Sequence, residues 1–531
     1  MLVARMPGIG RRLNSFWIAL PGSLVALWLA APWRHLQIGA DGHFASTPIF
    51  DGLLIYDPLT VYFRGVLLLF AVLFFLFTKL SGIPDREDSP DFYTLVLGGL
   101  LGMCVMASAN HMLTVFLGVE MASVPSYALS AFLKGRRTAG EAGLKYAVYG
   151  AGAAGVMLYG ISLLGGALGS VHIPTMTAQL AHLSPEAWAD RQIVLMTGGL
   201  MVGVGLAFKL SAVPFHFWAP DVFEGACAEV NAFLSVASKA GAMALLIRVA
   251  LGFSHEAAAH DVPQPIPAVT QAAASPFQLA SAKEPTAVSP EDDDSDHVHE
   301  SNLTKARKYI AGLIALLAAI TCTFGNLAAY GQTNIKRLLA YSTIAHAGYM
   351  MMPVAAAVAL VGSDVTSARE AVAGLCFYVG TYLFTNLAAF AIVAFLRNSL
   401  RSEEIADYAG LIKRSPGIAI CFTTVLVSLI GLPPLAGFVA KLFAFSPLVK
   451  AEMWYLLLIG GVNTAISLFY YIRVIKTMTI DPESADRAPA SFSMTGVEGV
   501  YVALITLPVL ILGVWFNSLR EWALAAASSL L

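Results

Sequence analysis

The sequence predicts an all-α polytopic membrane protein of about thirteen transmembrane helices, arranged as two inverted five-helix repeats that each contain a broken helix. Three observations lead there. Of 531 residues, 57% are hydrophobic and only 12% are charged, with a mean hydropathy of +0.70. Soluble domains carry about 25% charged residues, so this chain cannot clothe a water-facing surface. Continuous apolar runs recur along its length, each near the roughly 20 residues that a bilayer core about 30 Å thick demands of a helix. Two of these runs, five segments apart, combine a lone lysine with helix breakers. The runs are continuous rather than alternating, which excludes a β-barrel. Lys plus Arg total 32 against 34 for Asp plus Glu, leaving no basic surplus for nucleic acid.

The runs fall at 14–33, 59–78, 90–109, 112–132, 143–167, 193–213, 227–252, 309–329, 337–361, 371–396, 416–444, 453–472 and 498–518. The first is too long for a cleavable signal and leads to no clear cleavage site. With the N-terminus in the cytoplasm, the inner loops hold Arg11, Arg12, Lys79, Lys134, Arg136, Arg137, Lys336, Arg337, Lys413, Arg414 and others, about twice the number of basic residues outside. Runs three to seven and eight to twelve form two blocks of five; five is odd, so the blocks have opposite topology. The expected division is 1–89 as leading helices, 90–252 as the first repeat, 253–307 as an extracytoplasmic loop, 308–475 as the second repeat, and 476–531 as a cytoplasmic loop and last helix. The 253–307 loop is rich in Ala and Pro, then acidic through Glu291–Glu300. It reads as a disordered solvated linker; metal binding through Asp296, His297 and His299 is the alternative. The cysteines Cys104, Cys227, Cys322, Cys376 and Cys421 are scattered, with no pattern for zinc, an iron–sulfur cluster or a disulfide framework. No strand is predicted, so no dinucleotide-binding strand–Gly-loop–helix can be placed.

Charges at bilayer depth cost at least about 2.5–3.5 kcal/mol and persist where they face a polar pathway. Glu120 is the only charge between 112 and 133, Lys209 between 192 and 220, Lys239 between 230 and 247 and Lys441 between 415 and 449, and His346 lies in a stretch, 338–363, whose other ionisable groups are tyrosines. Burial disfavours an ammonium and a nearby carboxylate restores it, so one acid and three lysines fit a proton relay. The competing readings are a static Glu120–Lys209 ion pair, a snorkelling Lys239 and a packed, hydrogen-bonded His346. Lys209 precedes Pro214, and Lys441 follows the Gly431–Gly437 stretch with Pro433 and Pro434. Proline interrupts the helix, and freed backbone groups survive only inside protein or along water. One such break per half points to an ion path, against a simple kink. Arg64, Glu141, Lys145 and Arg248 lie near run ends and read as interfacial. Asp221 and Glu224 read as caps of the next helix rather than a proton inlet.

These residues resemble a known family, subunit N of bacterial respiratory complex I, the proton-translocating NADH:quinone oxidoreductase. The resembling stretches are Phe116–Glu120 with Tyr127, Glu141–Tyr146, Phe208–Gly225 with its Pro-Phe-His-Phe-Trp-Ala-Pro-Asp core, Gly325–Ser342 through Gly348, and Gly431–Lys441. The resemblance implies that Glu120 is the input glutamate, Lys209 its partner on the first broken helix, Lys239 the central lysine and Lys441 the terminal lysine, with His346 joining two half-channels. It implies a translocase subunit with no cofactor or metal of its own. NADH, FMN, iron–sulfur clusters and quinone would belong to other subunits. Partners would be antiporter-like sister subunits, small helical subunits, the peripheral redox arm and the lipid bilayer, in a bacterial inner membrane. A subunit of a cation/proton antiporter or membrane-bound hydrogenase with the same fold is the alternative; a non-pumping scaffold is a third. The family commonly has fourteen helices against thirteen here, which leaves a start site called late or a true variant.

Overall fold

The structure, a computed structural model, describes residues 15–35, 46–84, 88–255, 293–483, 492–528 and 530. Helix α1 (Phe16–Ala30) and the one-turn α2 (Pro32–His35) precede a small antiparallel hairpin, β1 (Thr47–Ile49) and β2 (Leu54–Tyr56). Sequence reading placed no strand there, since three-residue strands carry no periodic signal. Asn110 fastens the hairpin, its amide donating to Leu53 O and its side chain to Gly52 O. Then comes α3 (Pro58–Ser81), whose first turn is capped by Asp57 through the Thr60 amide at 2.8 Å.

The first repeat runs α4 (Ser89–Ser108), α5 (Met112–Ser130), α6 (Arg137–Leu168), a short α7 (Ile173–Ala181), and a broken member made of α8 (Pro185–Leu210) and α9 (Trp218–Gly225). It closes with α10 (Ala228–Ala232) and α11 (Ser238–Gly252), joined by a π-helical turn over Phe233–Ala237. The second repeat runs α12 (Asp293–Ala329), α13 (Ile335–Leu360), α14 (Val365–Leu400), the one-turn α15 (Leu411–Arg414), a broken member made of α16 (Pro416–Ile430) and α17 (Ala436–Lys450), and α18 (Trp454–Thr479). Helices α19 (Val497–Val514) and α20 (Asn517–Ala527) follow. Among the described residues, eleven helices are long and apolar enough to cross a membrane, and α1 and α16 are shorter apolar helices. Each of the thirteen apolar runs thus falls on a helix or a broken pair.

Neighbour relations repeat between the halves. The first helix packs on the second in each, α4 on α5 and α12 on α13; the third packs on the broken member, α6 on α8 and α14 on α17. The seam between the repeats is made by α9 and α11 on α13 and by α10 on α14. The α10–α11 segment, α13 and α14 are buried along nearly their whole length, whereas α6, α18 and α19 form the outer wall. Lys239 and His346 are carried by these innermost helices.

Two expectations are corrected. The stretch read as a loop to 307 is helical from Asp293. Acidic residues at a helix N-terminus complement its dipole, and the helix is anchored by Asn302, which donates to Ala181 O and Leu183 O at 3.1 and 2.7 Å. The side chains of Asp296, His297 and His299 lie outside the described residues, as does the rest of the acidic segment. Arg248 is not interfacial. It is buried, pairs with both oxygens of buried Asp57 at 2.9 and 3.0 Å, and donates to Ala107 O at 2.8 Å. This ties α11 to the start of α3 and the end of α4.

Candidate functional site

The two breaks are built alike. α8 ends on Ser211 in the left-handed region (φ 57), and α16 ends on Gly431 there (φ 86). A left-handed residue ends a helix by turning its amide back onto earlier carbonyls, and proline follows shortly after each. Freed backbone groups then find partners. Trp218 Nε1 donates to Phe208 O at 3.0 Å, Val213 N to Thr321 Oγ1 at 3.0 Å, and Gly437 N to Ser428 Oγ at 3.1 Å.

The last carbonyl of each half-helix is taken by a lysine. Lys239 Nζ donates to Leu210 O at 2.8 Å, and Lys441 Nζ to Ile430 O at 2.9 Å. The lysines arrive from different places: Lys239 from the helix after the break, just beyond the π-helical turn, and Lys441 from the second half of the broken member itself. Both ammonium groups therefore lie at the negative end of a half-helix dipole, and both side chains are buried. Lys441 also donates to Thr464 Oγ1 at 3.3 Å and lies 4.5 Å from the centroid of the Tyr349 ring.

Lys209 is buried at the end of α8 and donates to Ser123 Oγ on α5 at 3.1 Å. Glu120 lies one turn before Ser123, half-buried at the edge of the repeat, within electrostatic range of Lys209 but not paired with it inside 4 Å. The structure thus holds the two apart, with a hydroxyl on the lysine, rather than in a closed ion pair. His346 is buried; its Nδ1 shares a 2.8 Å hydrogen bond with the Tyr378 hydroxyl, and it feels the charges of both Lys239 and Lys441. Lys209 and Lys239 thus meet at the end of α8, where Lys239 holds the carbonyl of Leu210, the residue after Lys209; His346, on α13, lies within electrostatic range of Lys239 and Lys441.

Sequence reading missed the uncharged polar groups around this sequence. Beyond Thr464, Asn463 donates to Thr323 Oγ1 at 3.0 Å, and Asn326 donates to Asn463 Oδ1 at 3.2 Å and to the Tyr349 hydroxyl at 2.9 Å. Tyr470 donates back to Asn326 Oδ1 at 3.0 Å, and Tyr471 bonds Ser342. A signal existed: Asn463, Tyr470 and Tyr471 recur at one-face helical spacing in α18. Also missed were the buried Glu229, paired with Arg397 at 3.2 Å, and Lys336, paired with Glu403 at 2.8 Å.

Asp221 and Glu224 do not cap α10, whose N-cap Cys227 makes no side-chain cap bond. They sit on α9 in a charge cluster. Asp221 takes Lys145 at 2.7 Å and Arg337 at 3.2 Å, and Glu224 takes Arg337 at 2.5 Å. Lys145 also pairs with Glu141 at 2.9 Å. Arg337 begins α13, so the cluster bridges the repeats. The five cysteines are free, and no three His, Cys, Asp or Glu side chains converge among the described residues.

Comparison with known proteins agrees with this architecture. The family model described as NADH:quinone oxidoreductase/Mrp antiporter, TM, matches residues 109–270 and 299–467. The NADH-quinone oxidoreductase subunit N of Anaeromyxobacter sp. (strain Fw109-5) is 37% identical over 497 residues, covering 90% of this chain and 85% of that one. Subunit N of Desulfitobacterium hafniense is 35% identical over 495 residues, covering 90% and 86%. Among solved structures, a chain of respiratory complex I from Thermus thermophilus with bound Aureothin superposes with a TM-score of 0.66 at 27% identity, covering 95% and 92%. A chain of the Mrp complex from Dietzia sp. DQ12-45-1b shares the fold, with a TM-score of 0.74 at 17% identity over 97% and 93%. The chain is a multi-pass membrane protein and belongs to the NADH-quinone oxidoreductase subunit N family.

Proposed function

We propose that this chain is the proton-translocating subunit N of a bacterial inner-membrane NADH:quinone oxidoreductase and that protons move through Glu120, Lys209, Lys239, His346 and Lys441. The observation that carries the reading is the matched seating of Lys239 and Lys441 on the last carbonyls of the two broken half-helices. A buried ammonium held only by neutral acceptors is poised between charged and neutral forms, because no carboxylate fixes its charge. Glu120 at the edge of the fold is the input group. Its charge acts on Lys209, whose hydroxyl partner Ser123 lets the ion pair close or open. Charge then passes to Lys239, and by way of His346 to Lys441. The 90–252 repeat serves as the cytoplasmic half-channel, and the 308–475 repeat serves the outward half.

Moving a proton outward takes about 2.3 kcal/mol per 100 mV. That energy comes from electron transfer from NADH to quinone, carried out with FMN and iron–sulfur clusters by the peripheral arm and transmitted through sister membrane subunits. This chain contributes positions and proton sites, not redox chemistry. The antiporter-complex and hydrogenase-like alternatives share the fold; relatives above 30% identity over nine-tenths of the chain favour subunit N.

The test is Lys239→Ala beside Lys239→Arg in the assembled complex. Arginine keeps the charge and the donor but does not deprotonate. Both substitutions are expected to abolish proton pumping while the complex still assembles and oxidises NADH with an artificial acceptor. Unchanged pumping in Lys239→Arg would sink the relay. Mild-detergent purification with mass spectrometry separates the assemblies: flavin- and iron–sulfur-bearing subunits support this reading, and a hydrogenase module or only small membrane partners supports the alternative.

A further inference from the structure

An apolar cavity of about 340 Å³ opens between α6, α8, α11 and α12, outside the relay. Leu164, Leu195, Val202, Leu206, Leu246 and Leu313 line it. Its volume falls in the range of about 300–1,000 Å³ usual for small-molecule sites. The wall is apolar, so water gains little there, and an empty groove forfeits dispersion contacts along its whole lining.

Two glycines of α8 widen the groove for no packing reason. A Cβ added at Gly198 or Gly205 would press to 2.9 Å on Leu164 or 2.5 Å on Met157, so close helix approach demands glycine there. At Gly199 and Gly203, which line the cavity, an added Cβ would meet only Tyr309 at 3.6 Å or Leu313 at 3.7 Å, ordinary contact. Glycine inside a helix is destabilising relative to alanine. Keeping both open leaves a trough beside the first broken helix.

The rim is polar at one end only. Lys305 borders the cavity with its ammonium 5.1 Å from the centroid of the Trp188 ring, beside Gln192, and forms no ion pair among the described residues. A lysine over a tryptophan at the end of an apolar trough is the pairing found where a membrane-spanning surface meets the headgroup layer. Lys308 and Arg191 are exposed nearby in sequence, and so are the acids Glu186 and Asp190; the cavity wall itself carries the cation and neither acid.

We propose that this groove binds one anionic glycerophospholipid, with an acyl chain along Gly199 and Gly203 and its phosphate on Lys305. The lipid would fill the gap between α8 of the first repeat and α12 of the second.

The test uses the whole complex, delipidated in mild detergent and titrated with phosphatidylglycerol or, as the zwitterionic control, phosphatidylethanolamine. Native mass spectrometry reads the subunit released with its lipid adducts. Wild type should retain a phosphatidylglycerol adduct at lower lipid concentration than a phosphatidylethanolamine one. Lys305→Glu should weaken phosphatidylglycerol retention at least tenfold and remove its preference over phosphatidylethanolamine. Gly203→Leu, which fills the trough, should remove both. Should Gly203→Leu fail to assemble, the exposed Lys305→Glu decides alone. Equal retention of the two lipids by wild type, or unchanged phosphatidylglycerol retention in Lys305→Glu, overturns the proposal. So does a lipid-free subunit in which Gly203→Cys cross-links to a sister subunit, which would give the groove to a partner helix.

Discussion

Gly431→Ala tests whether the seat of Lys441 matters, without touching the lysine. Gly431 ends α16 with φ 86, where an L side chain costs roughly 1–2 kcal/mol. Its new Cβ would lie 2.8 Å from Lys441 Cδ and 3.3 Å from Cε. The backbone there cannot yield, because the Gly431 amide closes the helix end on Val427 O and Ser428 O. The lysine must move instead, and the 2.9 Å bond to Ile430 O breaks. An unpaired buried carbonyl costs about 1–3 kcal/mol. If that energy is what holds Lys441 in place, its occupancy of the relay position falls roughly 5- to 150-fold at 1.4 kcal/mol per decade. The assay is NADH-driven dye quenching in inverted membrane vesicles, normalised to NADH oxidation with an artificial acceptor. Protons moved per electron should drop by at least fivefold while the redox rate holds. Gly461→Ala on the neighbouring α18, where an added Cβ meets nothing within 4 Å, should change neither. Wild-type pumping per electron in Gly431→Ala would refute the reasoning.

Further outcomes follow from other contacts. Asp57→Ala leaves Arg248 charged and buried, which costs about 3–5 kcal/mol; the complex should assemble poorly on native gels, and Asp57→Ala with Arg248→Leu should recover much of the loss. Ser123→Ala removes the hydroxyl partner of Lys209; pumping should fall severalfold, with assembly intact, in the same vesicle assay. Tyr378→Phe removes the hydrogen bond to His346 Nδ1 and should lower pumping while leaving thermal stability within about 1–3 kcal/mol of wild type, the range for one orphaned buried polar group.

The charged members of the candidate site stood out in the sequence because a lone Lys or Glu in twenty apolar residues has no cheap structural reason to be there. Glu120, Lys209, Lys239 and Lys441 needed only hydropathy and the cost of burial. The breaks were legible from Pro214 and from Gly431 with its prolines. Asn326, Asn463, Thr464 and Ser123 were not, since a single amide or hydroxyl in a membrane helix can bond its own backbone, and nothing in one sequence tells which one turns to a neighbour. Arg248 and Asp57 fail for another reason. Arg248 lies near the end of an apolar run, where hydropathy reads an interface, Asp57 lies just outside one and was not singled out, and only the folded chain brings residues 57 and 248 together away from solvent. Asp221 was read as a local cap, but its partners come from α6 and α13, far along the chain.

The seats of Lys239 and Lys441 show what a break offers that a kink does not. A continuous helix spends every interior carbonyl on the amide four residues on, so it offers a buried ammonium nothing but side chains. Ending the helix at Leu210 and again at Ile430 frees a carbonyl inside the protein and adds the negative end of the half-helix dipole. A carboxylate in the same place would hold a lysine charged through any plausible cycle. A carbonyl stabilises the ammonium less, and still accepts from the neutral amine, so in the proposed relay the side chain would keep its place when the proton leaves. The repeats are opposed in direction, and the carbonyl freed at Leu210 is met by Lys239 on α11, a helix that packs on α13. His346 is carried by α13 and bonds Tyr378 on α14. Lys239 reaches its carbonyl from α11, whereas Lys441 reaches its own from within the broken member, and this asymmetry makes the two sites unequal. In the proposed relay, strict symmetry between the sites would leave no preferred direction, and the same acceptor served by lysines of different reach would let one site bind its proton more firmly than the other.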